Sequence, residues 1–509
     1  MQVGKYVLDK SQEKIVKDES NYLLVTAGAG SGKTLTILGK LNYLVIEKKI
    51  REEEILCISF TNAATKSLED KIKSTLNLTI PTYTFHKLAL EILKINNMEY
   101  DIADSALLED ITNEFFEVDI FSSVYHLTKI CQFYKKRGKS KEKVYRQLQK
   151  TNNQELYQLE RLIMTFIRLM KCNAFELKDF IIFSKKIKKT FSYKQYKREK
   201  TILIFALNIY LKYQKYLEEN KEIDFDDMLR HATKQVKGYI QKRKIKYIII
   251  DEYQDTSYIR FSLIKEIIKY SNAKLMVVGD DFQSIYRFTG CDISLFLDFS
   301  SYFKKANILK IEKTYRNSQE LIKIAGIFVM ANKNQIRKKL TSSKSLTNPI
   351  EIIYYQNIKT EFLKIIANLS KNKEQKIFIL GRNNFDINLL LNENIKAINN
   401  KIKIKDYEYL DITYMTIHKS KGLESDNVIL INMENKLTGF PNQIQDDKIT
   451  RLLIKTKDTY PYSEERRLFY VALTRTKNKV YVLVPKRNPS IFIKELEDII
   501  KTSRKKSTS

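Results

Sequence analysis

The sequence predicts an α/β protein of two halves, each a set of buried strands alternating with helices, with an all-helical segment inserted in the first half. Three observations point there. Residues 23–34, LLVTAGAGSGKT, run from an apolar strand through a loop of small residues into a helix. Short apolar runs then recur between helical stretches: ILCISF (55–60), YIII (247–250), LMVVGD (275–280), IFIL (377–380), NVILINM (427–433) and VYVLVP (480–485). Between 91 and 221 the strand pattern disappears, apolar residues recur at helical spacing as in ELYQLERLIMTFIRLM, and Gly138 is the sole glycine.

The glycine-rich loop is the most specific feature. Its pattern is GxxxxGK[ST], between a strand and a helix. Ala27, Gly28, Ala29, Gly30, Ser31 and Gly32 let successive backbone N–H groups turn inward around a phosphate with few Cβ atoms in the way. The helix N-terminus beyond them favours an anion. Lys33 is expected to reach the β- and γ-phosphates, and the Thr34 hydroxyl to ligate Mg²⁺. A nucleoside triphosphatase is therefore expected, with ATP and Mg²⁺ as the groups bound.

Composition bounds what such a motor acts on. At 509 residues the chain is too long for one core. Lys and Arg total 90 against 60 Asp and Glu, a formal net charge of +30, which calls for a polyanionic partner, most simply nucleic acid. The alternative is a lysine-rich solvated surface. The same two readings stand for the charge runs KKRGKSKEK and SKKIKKTFSYKQYKREK of the helical segment. Cys57, Cys131, Cys172 and Cys291 show no CxxC spacing, and the four histidines form no cluster, against a disulfide frame, an iron–sulfur site or zinc. With no signal peptide and no run long enough to span a bilayer, a cytoplasmic protein with no membrane partner is expected.

Further along, other residues fit the same chemistry. Gln12, upstream of the loop, could pair with both edges of adenine, or be a surface residue. In KYIIIDEYQDTS a carboxylate pair follows a buried strand, where such sheets bind nucleotides. Asp251 suits a Mg²⁺ ligand and Glu252 a base for the attacking water. In LMVVGDDFQSIYRFTG, Gln283 could touch the γ-phosphate, and Tyr286 and Phe288 could stack on bases or be core. SFTNAA and TYTFH offer hydroxyls, an amide, rings and a histidine, as single-stranded nucleic acid requires.

Taken in order, AGAGSGKT, SFTNAA, TYTFH, IDFDDML, IIIDEYQDTS, VVGDDFQSIYRFTG, EKTYRNS, MTIHKSKGLES and EERRLFYVALTRTK resemble the successive motifs of the UvrD/Rep/PcrA family of superfamily-one DNA helicases, over about residues 8–485. The resemblance implies two RecA-like lobes with ATP in the cleft between them. The segments expected are 1–90 and 222–305 for the first lobe, 91–221 for the helical insertion, 306–490 for the second lobe and 491–509 for a basic flexible tail. It implies that Gln12 reads adenine, Tyr315 stacks on it, Gly422 and Glu424 lie near the nucleotide with Glu424 on the ribose, Gln283 is the sensor, and Arg316 and Arg475 reach the γ-phosphate. It implies DNA contacts at Phe60, Thr61, Asn62, Thr84, Phe85, His86, Tyr286, Phe288 and His418. The implied partners are single-stranded DNA and single-/double-strand junctions, with a repair protein or partner nuclease beside them.

The sequence departs from the family at several points. Phe288 stands where relatives have tryptophan, and the chain has none. Leu35 replaces an arginine near the base, and Ser425 a phenylalanine. Between IFILGRNNF and Tyr414 too few residues remain for the second accessory subdomain of the relatives, which in the family contacts duplex. Two functions stay open: a 3′→5′ DNA helicase or translocase in repair, replication restart or phage defence, and a DNA-stimulated ATPase that remodels nucleoprotein or regulates a nuclease without processive unwinding.

Overall fold

The computed structural model describes residues 1–505 except 137, 139, 152, 191, 456 and 457. The first sheet holds six strands: β1 (Tyr22–Ala27), β2 (Ile55–Ser59), β3 (Thr82–Thr84), β4 (Tyr247–Ile250), β5 (Lys274–Gly279) and β6 (Asn307–Ile311). Their spatial order is β6-β1-β5-β4-β2-β3 and every pairing is parallel. Because side chains alternate along a strand, each apolar run feeds two cores. Leu24, Ile58, Ile248 and Val277 join one cluster, while Leu23, Cys57, Ile249 and Met276 join the cluster on the opposite face.

The second sheet holds β7 (Ile350–Tyr355), β8 (Lys376–Gly381), β9 (Ile395–Ile398), β10 (Lys401–Ile404), β11 (Asp411–Thr416), β12 (Asn427–Leu430) and β13 (Val480–Pro485), ordered β7-β13-β12-β8-β11-β10-β9. It is parallel except at the β9–β10 hairpin and its join to β11. Here too the strands divide between two faces: Phe378 and Val482 on one, Ile379 and Leu483 on the other.

The helical insertion leaves the first lobe at a short parallel ladder, Asp101–Ile102 with Glu222–Ile223. Its helices, among them Asn153–Cys172 and Tyr193–Asn220, enclose a separate core around Phe115, Ile163, Phe166 and Phe205. The buried Lys171 ammonium pairs with Asp224 and Asp227 at the start of the helix Phe225–Lys242, fixing the insertion to the first lobe. The cost of burying those charges is offset by the hydrogen bonds to the same carboxylates from Tyr213 and Gln214.

Between β8 and β11 the chain forms a 3₁₀ turn, Asn384–Leu389, and the β9–β10 hairpin, which continues the sheet edge. Three boundaries differ from those expected. The helix Phe85–Ile95 lies in the first-lobe core through Leu88, Ile92 and Leu93, so the insertion starts at the ladder and not at 91. β6 pairs with β1, so the first lobe extends past 305. The expected flexible tail is a helix, Ile491–Lys505, because Phe492, Ile493 and Leu496 are spaced to bury one face against the second lobe; residues 506–509 lie outside the described residues.

One further contact joins the halves. The second-lobe segment 441–455 reaches across to the insertion: Ile449 and Leu453 are fully buried in its core, and Asp447 makes a two-pronged ion pair with Arg198.

Candidate active site and nucleic-acid interface

The site lies at the carboxyl ends of the first-sheet strands, where the loops after β1, β4 and β5 meet. After β1, Gly30 (φ 68°) and Gly32 (φ 79°) take left-handed conformations that other residues rarely adopt. The loop is also hemmed in. A Cβ on Gly30 would fall 2.4 Å from the Arg316 Cβ, and one on Gly28 2.4 Å from Leu340. The Ser31 hydroxyl donates to the Gly28 carbonyl at 2.9 Å, closing the loop on itself. The helix Lys33–Asn42 starts from Gly32 with no side chain capping it, so its first N–H groups face the loop, with Thr34 in its first turn.

Lys33 donates to Glu252 Oε1 at 2.7 Å. Glu252 follows β4 in a left-handed conformation (φ 51°), which turns its carboxylate toward the loop. Burial alone would raise the Glu252 carboxyl; the Lys33 charge, then that of Lys421, overrides it and holds the group at about 2. Asp251 behaves oppositely. Burial, with the Glu252 charge next, pushes it up to about 6. A carboxylate lacking enough positive charge, at the end of β4, is an oxygen donor suited to Mg²⁺. Among the described residues no three acidic, histidine or cysteine side chains gather into a metal cage, so such an ion would complete its shell from phosphate and water.

The second lobe closes over this arrangement. Beyond β6 the chain crosses the phosphate loop: Thr314 donates to the Ala29 carbonyl at 2.7 Å and the Tyr315 N–H to the Gly30 carbonyl at 2.9 Å. The Arg316 Nε donates to Glu424 at 2.7 Å. Arg475, fully buried at the end of the helix Ser463–Leu473, donates to Gln283 Oε1 at 3.0 Å. Burial, and after it the Arg316 charge, pushes Arg475 down to about 9. Two guanidinium groups whose charges act on each other, one of them fully buried, favour an anionic ligand between the lobes. Gln12 is buried; its Oε1 accepts the Asp9 N–H, and its Nε2 has no hydrogen-bond partner. That amide lies 2.9 Å from where a Gly32 Cβ would sit, with the Tyr315 ring 3.8 Å from the same point. Gly422 (φ 83°) is at an open turn just before Glu424. Leu35 packs into the first-lobe core, and the Ser425 hydroxyl donates to the Asn427 carbonyl at 2.8 Å.

On the other side of the motif loops lies an aromatic face. Phe288 is 63% exposed. Its ring meets His418 edge-on at 5.5 Å and Tyr286 at 6.1 Å, and the Tyr286 hydroxyl donates to the His418 carbonyl at 3.0 Å. Phe60 lies beneath the Arg260 guanidinium at 5.0 Å, and Thr61 and Asn62 are exposed at the start of the helix Asn62–Leu76. His86 faces the exposed ring of Phe225 at 5.1 Å. Two expected contacts are corrected here. Phe85 is 2% exposed and packs in the first-lobe core against Phe60, so it supports that ring and offers no face of its own. Thr84 is buried too, and its hydroxyl accepts the Lys87 N–H as a helix cap.

Residues 8–304 match the UvrD/REP helicase N-terminal domain family, and residues 388–487 the UvrD-like helicase C-terminal domain family. The chain belongs to the UvrD/Rep helicase family. It is similar to DNA helicase IV of Escherichia coli (27% identity over 98% of this chain and 71% of that protein). It is also similar to a probable DNA helicase of Mycoplasma pneumoniae (26%, over 96% of this chain and 87% of that one). With PcrA of Bacillus subtilis it shares 29% identity over 69% of this chain but only 42% of PcrA's length.

Several residues at this UvrD-type site escaped the sequence reading. Gln254 donates to Glu252 Oε2 at 2.6 Å. Lys338, from the segment returning to the first lobe, is buried between Asp280 and Asp281. Lys421 pairs with Asp255 and donates to the Gln283 carbonyl at 2.6 Å. Gln254 and Lys421 lie inside quoted motifs, but only the fold reveals what they touch; Lys338 has no local signal at all. No helix among the described residues is long and apolar enough to cross a membrane.

Proposed function

We propose that this chain is an ATP-driven DNA helicase or translocase that hydrolyses ATP between its two lobes and moves 3′→5′ along single-stranded DNA, in repair, replication restart or phage defence. The observation that carries the reading is the convergence of Lys33 and Glu252 from one lobe with Arg475 from the other, Arg316 lying against the phosphate loop from the crossing segment between them.

In this reading the unpaired Gln12 amide hydrogen-bonds adenine and the Tyr315 ring stacks on it. Lys33 exchanges Glu252 for the β- and γ-phosphates, which frees the carboxylate to orient and deprotonate water. Asp251 and Thr34 hold Mg²⁺, which offsets phosphate charge. Gln283 contacts the γ-phosphate, and Arg316 and Arg475 stabilise its developing charge; Glu424, paired with Arg316, lies close enough to that side of the cleft to take the ribose. Phe288, Tyr286, His418, Phe60, Thr61, Asn62 and His86 line the DNA path, and rocking of the lobes moves bases past them.

A second reading rests on the β9–β10 hairpin. It occupies the place where the family resemblance leads one to expect a second accessory subdomain, and its small size supports a DNA-stimulated ATPase that strips bound protein or serves a partner nuclease with little unwinding. One experiment separates them: ATPase rate with and without single-stranded DNA, then strand displacement on duplexes with 3′ or 5′ overhangs. Stimulated hydrolysis with displacement only from the 3′ overhang supports the first reading; stimulated hydrolysis with no displacement supports the second. No ATP hydrolysis would refute both.

A further inference from the structure

Glu252 has two carboxylate oxygens, and Lys33 holds only one of them. The other accepts a 2.6 Å hydrogen bond from Gln254 Nε2. Gln254 is 1% exposed, and its own Oε1 accepts the backbone N–H of Asp280 at 2.9 Å. Asp280 in turn accepts from Gln283 Nε2 at 2.6 Å, which fixes which end of that amide faces Arg475. The far end of the chain is anchored, since Asp280 is fully buried and paired with Lys338. Space for the Gln254 amide is reserved: a Cβ at Gly279 would lie 2.4 Å from its Oε1.

We infer that Gln254 is a positioning residue which, through Asp280, sets the Glu252 carboxylate, Gln283 and Arg475 as one unit. The inference rests on the nucleotide-site reading above. Its physical basis is the exchange at Lys33. Once that ammonium turns to phosphate, Gln254 is the remaining side-chain donor to Glu252 among the described residues. A carboxylate held by one fixed donor keeps its free lone pairs aimed at the water; an unheld one rotates. The same amide bonds the strand end that leads to Gln283, so a shift of the sensor reaches the base through three hydrogen bonds, and one of the arginine through four.

Two variants disturb the amide in different ways. Gln254→Leu removes its three side-chain hydrogen bonds, to Glu252, to Asp255 at 3.4 Å and from the Asp280 N–H, at similar size. Gly279→Ala keeps the amide group but displaces it, and serves if the leucine variant fails to fold; its Cβ would also lie 2.7 Å from the Phe296 ring, so its melting temperature is read beside its rate. Steady-state ATPase at saturating single-stranded DNA, melting temperature and nucleotide binding are measured for each variant and for the double variant. Each folded single variant is expected to lose up to about 100-fold in kcat, with KM for ATP within about twofold. The double variant is expected to be no worse than the more damaged single one. Near-parental kcat in folded Gln254→Leu or Gly279→Ala, a parallel rise in KM, or additive losses would overturn the inference. Lys33→Ala is the control that keeps the two claims apart. If the parent hydrolyses ATP, Lys33→Ala does not and folded Gln254→Leu does so at a near-parental rate, only this inference fails. If the parent shows no hydrolysis, the nucleotide-site reading fails and takes this one with it.

Discussion

Glu252 sits in a backbone conformation that costs a non-glycine residue roughly 1–3 kcal/mol, and the ion pair to Lys33 is part of what holds it there. Charge removal and shape retention therefore have separable effects. Glu252→Gln should bind ATP yet turn over about 10²- to 10⁴-fold more slowly, seen as retained nucleotide in filter binding with little phosphate release. Lys33→Ala should abolish ATPase activity in a coupled assay while leaving single-strand affinity within about twofold. A pH effect follows from the histidines. Burial, with the Arg382 and Lys421 charges next, pushes His418 down to about 4. Between that value and its ordinary pKa near 6.5 the unfolded chain binds the proton and the folded one does not, so His418 contributes a stability loss as pH falls through this window. Buried Asp226, raised to about 7 by burial and then by Asp224, works in the opposite direction, so the informative quantity is a difference. His418→Gln should lose less melting temperature between pH 7.5 and 5 than the parent. The phosphate loop and the Asp251–Glu252 pair could be placed at one end of the sheet from sequence because each is a local string at the end of an apolar run. Phe85 was not: whether a ring in TYTFH faces DNA or core depends on strands β2 and β4, which its neighbours in sequence do not reveal.

At the scale of elements, continuous apolar runs made the central strands readable, since a strand buried on both faces has no polar alternation to confuse with a helix. The β9–β10 hairpin carried a signal that went unread. Ile402 and Ile404 are buried between exposed lysines, and Asn399 and Asn400 both take positive φ, as a two-residue turn requires. The helix Ile491–Lys505 was obscured by its basic end, although its apolar residues have helical spacing. The segment 441–455 could not be read at all, because Asp447 and its partner Arg198 are 249 positions apart. Ile449→Ala and Leu453→Ala should each destabilise the protein by about 2–5 kcal/mol, measured by denaturant unfolding, because the insertion core would be left with a cavity. Phe288→Ala should weaken single-strand binding by about 1–3 kcal/mol and Phe288→Trp should not weaken it, by fluorescence anisotropy, since the exposed ring offers only a stacking face.

For the whole molecule, a net charge of +30 makes ionic strength the strongest external lever on binding. The logarithm of the single-strand association constant should fall linearly with the logarithm of salt concentration, by about 0.7 for each phosphate neutralised. The segment 441–455 bears on how the proposed motor could move. The insertion is fastened to the first lobe by its ladder and the Lys171 ion cluster, and to the second by Ile449 and Leu453. Withdrawing those two side chains into water would cost about 3–6 kcal/mol, a state visited well under once in a hundred thermal fluctuations. In the proposed motor the insertion would therefore act as a tie-rod spanning both jaws. It would limit a stroke to an amplitude the tie can follow, and a wider gape would require the tie to melt first.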